Sequence, residues 1–408
     1  MSFNIALTGL NAVSEQLNTV SNNIANSSTT GFKSSRTEFG SVYADTQAMG
    51  VEVLGNTQSI SLGGALINTS RTLDLAISGG GFFIVQGTNG ETQYTRAGVF
   101  GTDSANYIVN KAGQKLQGYP TDADGNLLTG SLGDLRIKAA TLPAKATDSL
   151  EFVANLDANE EAPGTWDNTV TPPVFTALPF DVNNANSYNH TYTTKVYDSL
   201  GREHTLTQYF IKDHLTDGEW TVQNYLGTTQ LGTHTLEFDT NGLLTAGGTS
   251  SLTGIAVAGA TNLDIDIDYT GTTQYGTNFG VSTNLASGYT SGEQTGIGID
   301  SKGNVFVNYS NGQSQLQGQV VLASFVNPEG LKNVSGTSWV TTTESGEALT
   351  GAPGVAQFGS VNAGTLENSN VDLTEELVTL MQGQRNYQAN TKVISTQKDL
   401  DQILFSAM

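Results

Sequence analysis

FNIALTGLNAVSEQLNTVSNNI, residues 3–24, is the stretch that decides what kind of molecule this sequence forms. Its apolar residues alternate three and four positions apart, which is the a and d spacing of a coiled-coil seam. This N-terminal seam consists of Phe3, Ala6, Leu10, Val13, Leu17, Val20 and Ile24. Glu15 is the only charged residue before Lys33, although a helix that faces water usually carries more charge. The pattern therefore predicts a helix that buries its seam, either against the rest of the chain or against partner helices.

A second heptad-like helix is predicted at the other end of the chain. Its seam is less regular and consists of Leu373, Leu377, Leu380, Tyr387, Ile394, Leu400 and Leu404. Ser369, Asn370 and Asp372 are candidates for its N-cap. The first helix should end within residues 22–31, because Asn, Ser and Thr compete there for helical hydrogen bonds. Seams at both ends of the chain predict a subunit whose N-terminal and C-terminal segments lie together.

The residues between the two ends indicate strands. Short β-rich runs alternate with turn signals such as Asn241-Gly242, and the runs include FFIV at 82–85, YIV at 107–109, VFVNY at 305–309 and QVVLASFV at 319–326. No long amphipathic helix interrupts them, which argues against βαβ units and a nucleotide-binding fold. The fold class predicted is mainly β: several antiparallel domains, barrel-like or sandwich-like, with paired helical ends that form a coiled-coil-like assembly core.

Composition limits the possible functions. The chain has 408 residues, enough for several domains, and its 17 Lys and Arg against 38 Asp and Glu give a net charge of −21, which would repel nucleic acid. The absence of cysteine removes disulfides, thiolate nucleophiles and Cys-ligated zinc. The N-terminus has no basic region followed by an apolar run, and no apolar stretch is long enough to span a bilayer. We therefore expect neither a cleaved signal peptide nor membrane insertion.

Candidate catalytic or metal-binding residues are few. The four histidines are not in an HExxH arrangement, and neither a GxSxG nor a Gly-Lys phosphate loop occurs. Asp264, Asp266 and Asp268 should share one strand face, either as ligands of a divalent ion or as charges that keep a sheet edge from pairing. SGGGFF at 78–83 is glycine-rich, but no helix follows it to form an anion site, so it predicts a tight corner.

Three stretches resemble the bacterial flagellar rod and hook proteins, a family of axial components. The N-terminal signature is NNIANSSTTGFKSSRTEF at 22–39, the inner segment includes DLAISGGGFFIVQ at 74–86, and the C-terminal motif is SNVDLTEELVTLMQGQRNYQANTKVISTQKDL at 369–400. Rod and hook proteins share these terminal sequences, so the residues between them distinguish the two branches of the family. A long β insertion, followed by GIDSKGNVFVNYSNGQSQLQGQVVLASFVNPEGL at 298–331, is similar to the hook branch, whereas rod proteins are shorter.

The resemblance implies a structural subunit, not an enzyme. Such subunits polymerise into the flagellar hook, an extracellular curved tube that acts as a universal joint and transmits torque from rod and motor to filament in bacterial motility. The implied partners are further copies of the chain, the flagellar rod, the hook cap protein, the hook–filament junction proteins and the type III export apparatus. No cofactor, metal, catalytic residue or nucleic acid is implied. The alternatives are a distal rod protein or another flagellar axial component, and, less favoured, a β-rich extracellular adhesin.

The resemblance and the turn-rich boundaries near residues 145 and 285 together give a domain division. The predicted terminal helical assembly domain is discontinuous and consists of 1–30 and 366–408. Extended connecting segments follow at 31–75 and 350–365. The inner β domain comprises 76–144 and 285–349, and the outer β domain comprises 145–284. In this division the seam residues of both ends are the assembly contacts.

Overall fold

The computed structural model describes residues 2–44, 47–122, 125–138 and 141–407, which fold into two compact units. The first unit consists of Met1–Ala139, Thr295–Asn308 and Ser314–Met408. The second consists of Ala140–Gln294 and Tyr309–Gln313, and the predicted outer domain at 145–284 falls inside it. Among the described residues, no helix combines the length and apolarity that crossing a membrane requires.

Two long helices lie at the ends of the chain, as the seams predict: α1 is Ser2–Ala25 and α2 is Leu373–Ala407. The N-cap of α2 is Asp372, whose Oδ1 accepts hydrogen bonds from the amides of Thr374 at 2.8 Å and Glu375 at 3.2 Å. Helix α1 ends at the start of the Asn-rich and Ser-rich run, which turns further until Gly31 adopts a φ of +70°.

In the part of the chain that the structure describes, thirty-one strands lie between the helices. The first ten are β1 Ser35–Ala44, β2 Gln47–Gln58, β3 Leu66–Asn68, β4 Leu75–Ser78, β5 Phe82–Gln86, β6 Thr92–Thr95, β7 Phe100–Thr102, β8 Ile108–Asn110, β9 Lys115–Pro120 and β10 Gly133–Asp134. The next twelve are β11 Thr141–Leu142, β12 Ser149–Asn155, β13 Gly164–Asp167, β14 Val174–Ala177, β15 His190–Tyr197, β16 Glu203–Lys212, β17 Glu219–Leu226, β18 Thr229–Phe238, β19 Leu244–Ala246, β20 Thr249–Ile255, β21 Leu263–Asp268 and β22 Gly280–Ala286. The last nine are β23 Gly292–Ile299, β24 Asn304–Tyr309, β25 Ser314–Val320, β26 Leu322–Ser324, β27 Lys332–Val334, β28 Ser338–Val340, β29 Leu349–Gly351, β30 Ser360–Ala363 and β31 Thr365–Glu367.

The first unit is built around a sheet in which β25, β9, β5, β6, β28 and β27 are consecutive neighbours. The FFIV run that the sequence analysis singled out is its central strand β5, and its side chains are buried on both faces. On one face Phe82 contacts Phe325 and Trp339 edge to face, with ring centroids 5.8 and 5.7 Å apart. The aromatic core of this unit therefore depends on contacts between the N-terminal and C-terminal parts of the chain.

The second unit is a β-sandwich. One sheet has the order β20–β21–β12–β22 and the other the order β15–β16–β17–β18–β19. Alternate residues of both sheets point into one core, where Phe152 stacks on Phe210 at 5.6 Å and Trp220 is fully buried. The pairing of β12 with β21 is parallel, which departs from the antiparallel arrangement expected.

The mainly β fold class with paired terminal helices is confirmed. Strand β21 also has the predicted alternation, with Leu263, Ile265 and Ile267 buried and the three aspartates exposed. The interpretation that those aspartates keep an exposed sheet edge from pairing is wrong, because β21 is not an edge strand. It pairs with β20 on one side and β12 on the other. Periodicity shows which face of a strand is exposed, but the strand's neighbours depend on the tertiary fold.

Candidate assembly surface of the terminal helices

The two terminal helices pack against each other in antiparallel orientation. Gly9 of α1 lies opposite Asn390 of α2, and Leu17 lies opposite Gly383, so residue numbers rise along one helix as they fall along the other. A side-chain carbon added at Gly383 would lie 2.8 Å from Leu17 Cδ2, and one at Gly9 would lie 3.1 Å from Asn390 Nδ2. The glycines thus allow close approach of the two helix backbones at these positions.

A polar junction ties the pair to the hairpin that follows α1. Asn23 is 1% exposed, and its Nδ2 donates to Glu376 Oε1 at 2.7 Å and to the Ser35 carbonyl at 2.8 Å. The Ser35 amide donates back to Asn23 Oδ1 at 2.9 Å. Burial and the charge of neighbouring Glu375 raise the pKa of Glu376, although the hydrogen bond from Asn23 acts in the other direction. One asparagine therefore connects α1, α2 and β1.

The hairpin of β1 and β2 lies against α1, where Thr19 Oγ1 and Thr37 Oγ1 are 2.8 Å apart. The hairpin lies within the predicted connecting segment 31–75, where no hairpin was expected, although its β-branched and glycine residues are typical of one. A cavity of about 340 Å³ borders α1, the hairpin and α2, and its lining includes Val13, Phe39 and Val51. Five large apolar side chains of the hairpin are exposed: Phe39, Tyr43, Met49, Val53 and Leu54.

The predicted N-terminal seam is unevenly covered in a single copy of the chain. Ala6 and Val20 are buried, Leu10, Val13, Leu17 and Ile24 are partly buried, and Phe3 is 44% exposed. Coverage is lowest at the start of the helix, where Ile5 and Leu7 are exposed as well. The first two turns of α1 therefore present apolar side chains that the rest of the described chain leaves in contact with water.

The predicted C-terminal seam is mostly outside the intramolecular interface. Leu380 and Ile394 are partly buried, whereas Leu373, Leu377, Tyr387 and Leu400 are 46%, 45%, 38% and 54% exposed. The side chain of Leu404 lies outside the described part of the chain. The buried face of α2 is centred on Gly383 instead. Met381 extends the exposed row, because positions 373, 377 and 381 are spaced four residues apart and share one face of the helix.

A buried ion cluster fastens the connecting segments next to the helices. Lys33 Nζ lies 2.6 Å from Glu367 Oε1, and Arg96 Nη1 lies 3.2 Å from Glu367 Oε2. The Gly64 amide also donates to Glu367 Oε1, and the Gly31 amide donates to the Glu367 carbonyl. Burial lowers the pKa of Lys33, while Glu367 acts against this change. The cluster was not predicted, since Lys33 and Arg96 are 334 and 271 positions away from Glu367 and the three residues follow no motif.

Metal ligation finds no support in the geometry. Among the described residues, no three or more His, Cys, Asp and Glu side chains are grouped so that they could hold an ion. His204 contacts Asp198, at 3.0 Å from Nε2 to Oδ2, and His234 contacts the Gly247 carbonyl. Asp266 accepts from Ser251 Oγ at 2.6 Å, and Asp264 accepts from the Gly254 amide. These groups have structural hydrogen-bond partners within the second unit.

Four protein-family models match successive parts of the chain. They are described as a flagella basal body rod protein at 3–33, a flagellar hook protein FlgE/F/G D1 domain at 76–152, a flagellar basal body protein FlaE D2 domain at 155–289 and a flagellar basal body rod FlgEFG protein C-terminal region at 362–407. The terminal matches cover all but the first residue of α1 and the whole of α2, and the D2 match lies within the second unit.

Known proteins match over almost the whole length. The flagellar hook protein FlgE of Salmonella typhimurium is 39% identical, with 99% of this chain and 98% of that protein covered. That of Escherichia coli K12 is 38% identical with the same coverage, and that of Borreliella burgdorferi is 30% identical over 98% of this chain and 97% of that protein. The crystal structure of Helicobacter pylori flagellar hook protein FlgE2 shares the fold at 14% identity and a TM-score of 0.55, covering 72% of this chain and 99% of that one. From end to end, this chain belongs to the flagellar hook protein family.

Proposed function

We propose that the chain is a non-catalytic subunit that polymerises into the flagellar hook, a curved tube that transmits torque from rod to filament. The observation that carries this proposal is the exposed leucine row of α2, since Leu373 and Leu377 are almost half exposed on a helix whose other face is already paired. A row of large apolar side chains that lies outside the intramolecular contact of its helix needs a further surface to cover it. Helices of further copies would supply that surface.

The proposal gives each predicted domain a role. The terminal helical domain, 1–30 and 366–408, would form the contacts between copies through the seam residues, and the connecting segments would transmit load to the inner β domain. The outer β domain, 145–284, would set how closely neighbouring copies approach on the inside of a bend. Full-length coverage of hook relatives, including the second unit, favours the hook over the distal rod.

Export and partners belong to the same proposal. We expect the chain to leave the cell through the flagellar type III apparatus without a cleaved signal peptide and to act outside the cell. There it would join the rod at one end and the hook–filament junction proteins at the other, and it would polymerise beneath the hook cap. A chain without cysteine suits unfolded export, because disulfides cannot trap it in transit.

Electron microscopy of the purified chain under polymerising conditions tests the proposal. The wild type should form tubes, and the double variant Leu373→Asp/Leu377→Asp should remain monomeric, because burying unpaired carboxylates costs several kcal/mol. The matched control is Leu200→Asp/Leu215→Asp, which places the same charges at side chains of the second unit that are 60% and 81% exposed. Tubes from the α2 variant, or none from the wild type, would contradict the proposal.

A further inference from the structure

The buried ion cluster carries an excess of positive charge. Two cations, Lys33 and Arg96, share the single carboxylate of Glu367, and the three residues are only 1%, 4% and 1% exposed. The charged groups that act on Lys33 are Glu367 and Arg96, and the one that acts on Arg96 is Glu367. An uncompensated buried charge is costly, so a cluster with one net positive charge favours the approach of an anion.

The guanidinium of Arg96 has donors to spare. Nη1 donates to Glu367 Oε2 and Nη2 donates to the Gly79 carbonyl at 2.9 Å, which uses two of its five N–H groups. The buried Nε has no hydrogen-bond partner among the described residues. The Phe82 ring, whose centroid lies 5.3 Å from Arg96 Cζ, stabilises the cation through its face but accepts no ordinary hydrogen bond. The unused N–H groups of Arg96 and the net positive charge of the cluster both favour an additional hydrogen-bond acceptor that is negatively charged.

A groove of about 290 Å³ borders this cluster. Arg96 and Glu367 line it together with Ser61, Ser78 and Gly79. The last two belong to the glycine-rich corner whose sequence lacks a following helix. Gly79 has a φ of +116°, and a side chain there would lie 3.0 Å from Gly359 Cα, so the corner excludes bulk beside the guanidinium. No helix N-terminus follows this corner, so the positive charge beside it comes from the guanidinium of Arg96.

We propose that this groove binds a carboxylate monoanion against Arg96. The cluster has one excess positive charge, which a monoanion neutralises and a phosphate dianion would exceed. The two oxygens of a carboxylate also fit the planar fork of a guanidinium, whereas a single halide ion cannot contact it in the same bidentate way. The carboxylate comes either from an Asp or Glu side chain of a second copy or from a small free acid. Each chain has 38 acidic residues, so a neighbouring copy can supply a side-chain carboxylate to this groove. Only the first source rests on the proposed function.

Nuclear magnetic resonance of arginine Nε–H groups in the monomer tests binding directly, with acetate replacing chloride at constant ionic strength. The Arg96 signal is identified by its loss in Arg96→Lys and, independently, by its contact with the Phe82 ring. We expect a saturable shift of this signal with acetate. The signal of Arg36, whose side chain is 79% exposed, is the control and should not saturate. No shift at Arg96, or an equal response to acetate and chloride, would overturn the proposal.

A charge variant separates the excess charge from the geometry. Lys33→Met leaves Arg96 and Glu367 as a neutral pair with the groove intact, so acetate should bind about tenfold more weakly, as expected from the loss of one nearby charge. Circular dichroism establishes that the variant is folded. Unchanged acetate affinity in the folded variant would mean that the excess charge does not drive binding, contrary to the proposal.

Polymerisation measured by light scattering distinguishes the two sources. If a second copy supplies the carboxylate, acetate should slow the growth of wild-type tubes at least about threefold by competition, but should not slow that of Arg96→Lys. If the ligand is a free acid, acetate should bind the monomer and leave the growth rate unchanged. A chain that forms no tubes in either salt contradicts the proposed function, while the monomer titration still decides the anion site.

Discussion

The β-sandwich of the second unit and the terminal helices bury their apolar side chains to very different extents. In the sandwich, Phe152, Phe210 and Trp220 are fully buried within one copy of the chain. In α2, Leu377 and Leu400 remain 45% and 54% exposed although the helix is already paired. The sandwich is therefore complete as a monomer, whereas the helix pair still has apolar surface to bury.

The difference shows how one chain separates folding from assembly. The helices meet where Gly9 lies against Asn390 and Gly383 lies against Leu17, so at these contacts α2 contributes a glycine and an asparagine instead of its exposed leucines. Those residues stay available on the outer faces of the pair. Substitutions in the sandwich should therefore affect folding, and substitutions on the helices should affect association.

The largest expected contrast comes from truncating one large side chain in each region. Phe210→Ala should lower the free energy of unfolding of the sandwich by about 3–5 kcal/mol, because it leaves a cavity between Phe152 and Phe279. Leu377→Ala should change the stability of the monomer by less than about 0.5 kcal/mol, because the side chain is exposed, yet raise the concentration needed for polymerisation. Urea unfolding and light scattering measure the two effects. Equal losses of monomer stability would show that the helix surface is already covered.

A β-branched residue in the helix interface should have the next largest effect. Gly383→Val places a branched carbon against Leu17 and should weaken the pairing of α1 and α2 by about 1–3 kcal/mol. Since an isolated helix is marginal in water, proteases should then cut α2 faster, while the sandwich resists as before. Gln384→Val is the matched control, because it has the same β-branching at an exposed neighbour. Similar cleavage rates in both variants would speak against close packing at Gly383.

Acidification should affect the two regions with opposite sign. Although burial opposes it, hydrogen bonds from His204, Arg202 and Leu200 hold the pKa of Asp198 well below its usual range, so its contribution to the sandwich is present above about pH 4 and is lost as the pH falls towards the folded pKa. The raised pKa of Glu376 works the other way, because its folded form binds protons more readily, and helix pairing should strengthen as the pH falls through that raised pKa.

Urea unfolding of the sandwich and proteolysis of α2, each followed across acidic pH, measure these two responses. Asp198→Asn should flatten the pH dependence of the sandwich below about pH 4, and Glu376→Gln should remove that of the helix pair. A wild-type helix pair that weakens on acidification in parallel with the sandwich would contradict the assignment to Glu376.

The smallest effect is expected on the exposed face of the sandwich. Glu151 and Asp268 are directly paired neighbours on β12 and β21, and like charges in that position repel. Glu151→Gln should stabilise the sandwich by about 0.2–0.5 kcal/mol at low salt, and the gain should vanish in high salt. A gain that persists in high salt would contradict charge repulsion as the cause.

Most elements could be predicted because each depends on a local pattern. The run at 82–85 became β5, the alternating residues 263–268 became β21, and Asp372 caps α2. The hairpin at 35–58 was missed, because a two-stranded ribbon is marginal alone and is supported here by packing on α1. The edge assignment of β21 failed because neighbours in a sheet are a long-range property.

The sequence by itself determined that both ends are helical, that the middle is rich in strands, and that large apolar side chains repeat at both ends of the chain. These features follow from spacing, since periods of 2 and of 3.5 to 3.6 are properties of the backbone. Only the tertiary structure decided that Gly383, and not the leucine row, faces α1, and that Lys33, Arg96 and Glu367 converge on one buried cluster. Those arrangements join segments far apart in sequence, so they depend on the packing of the whole unit.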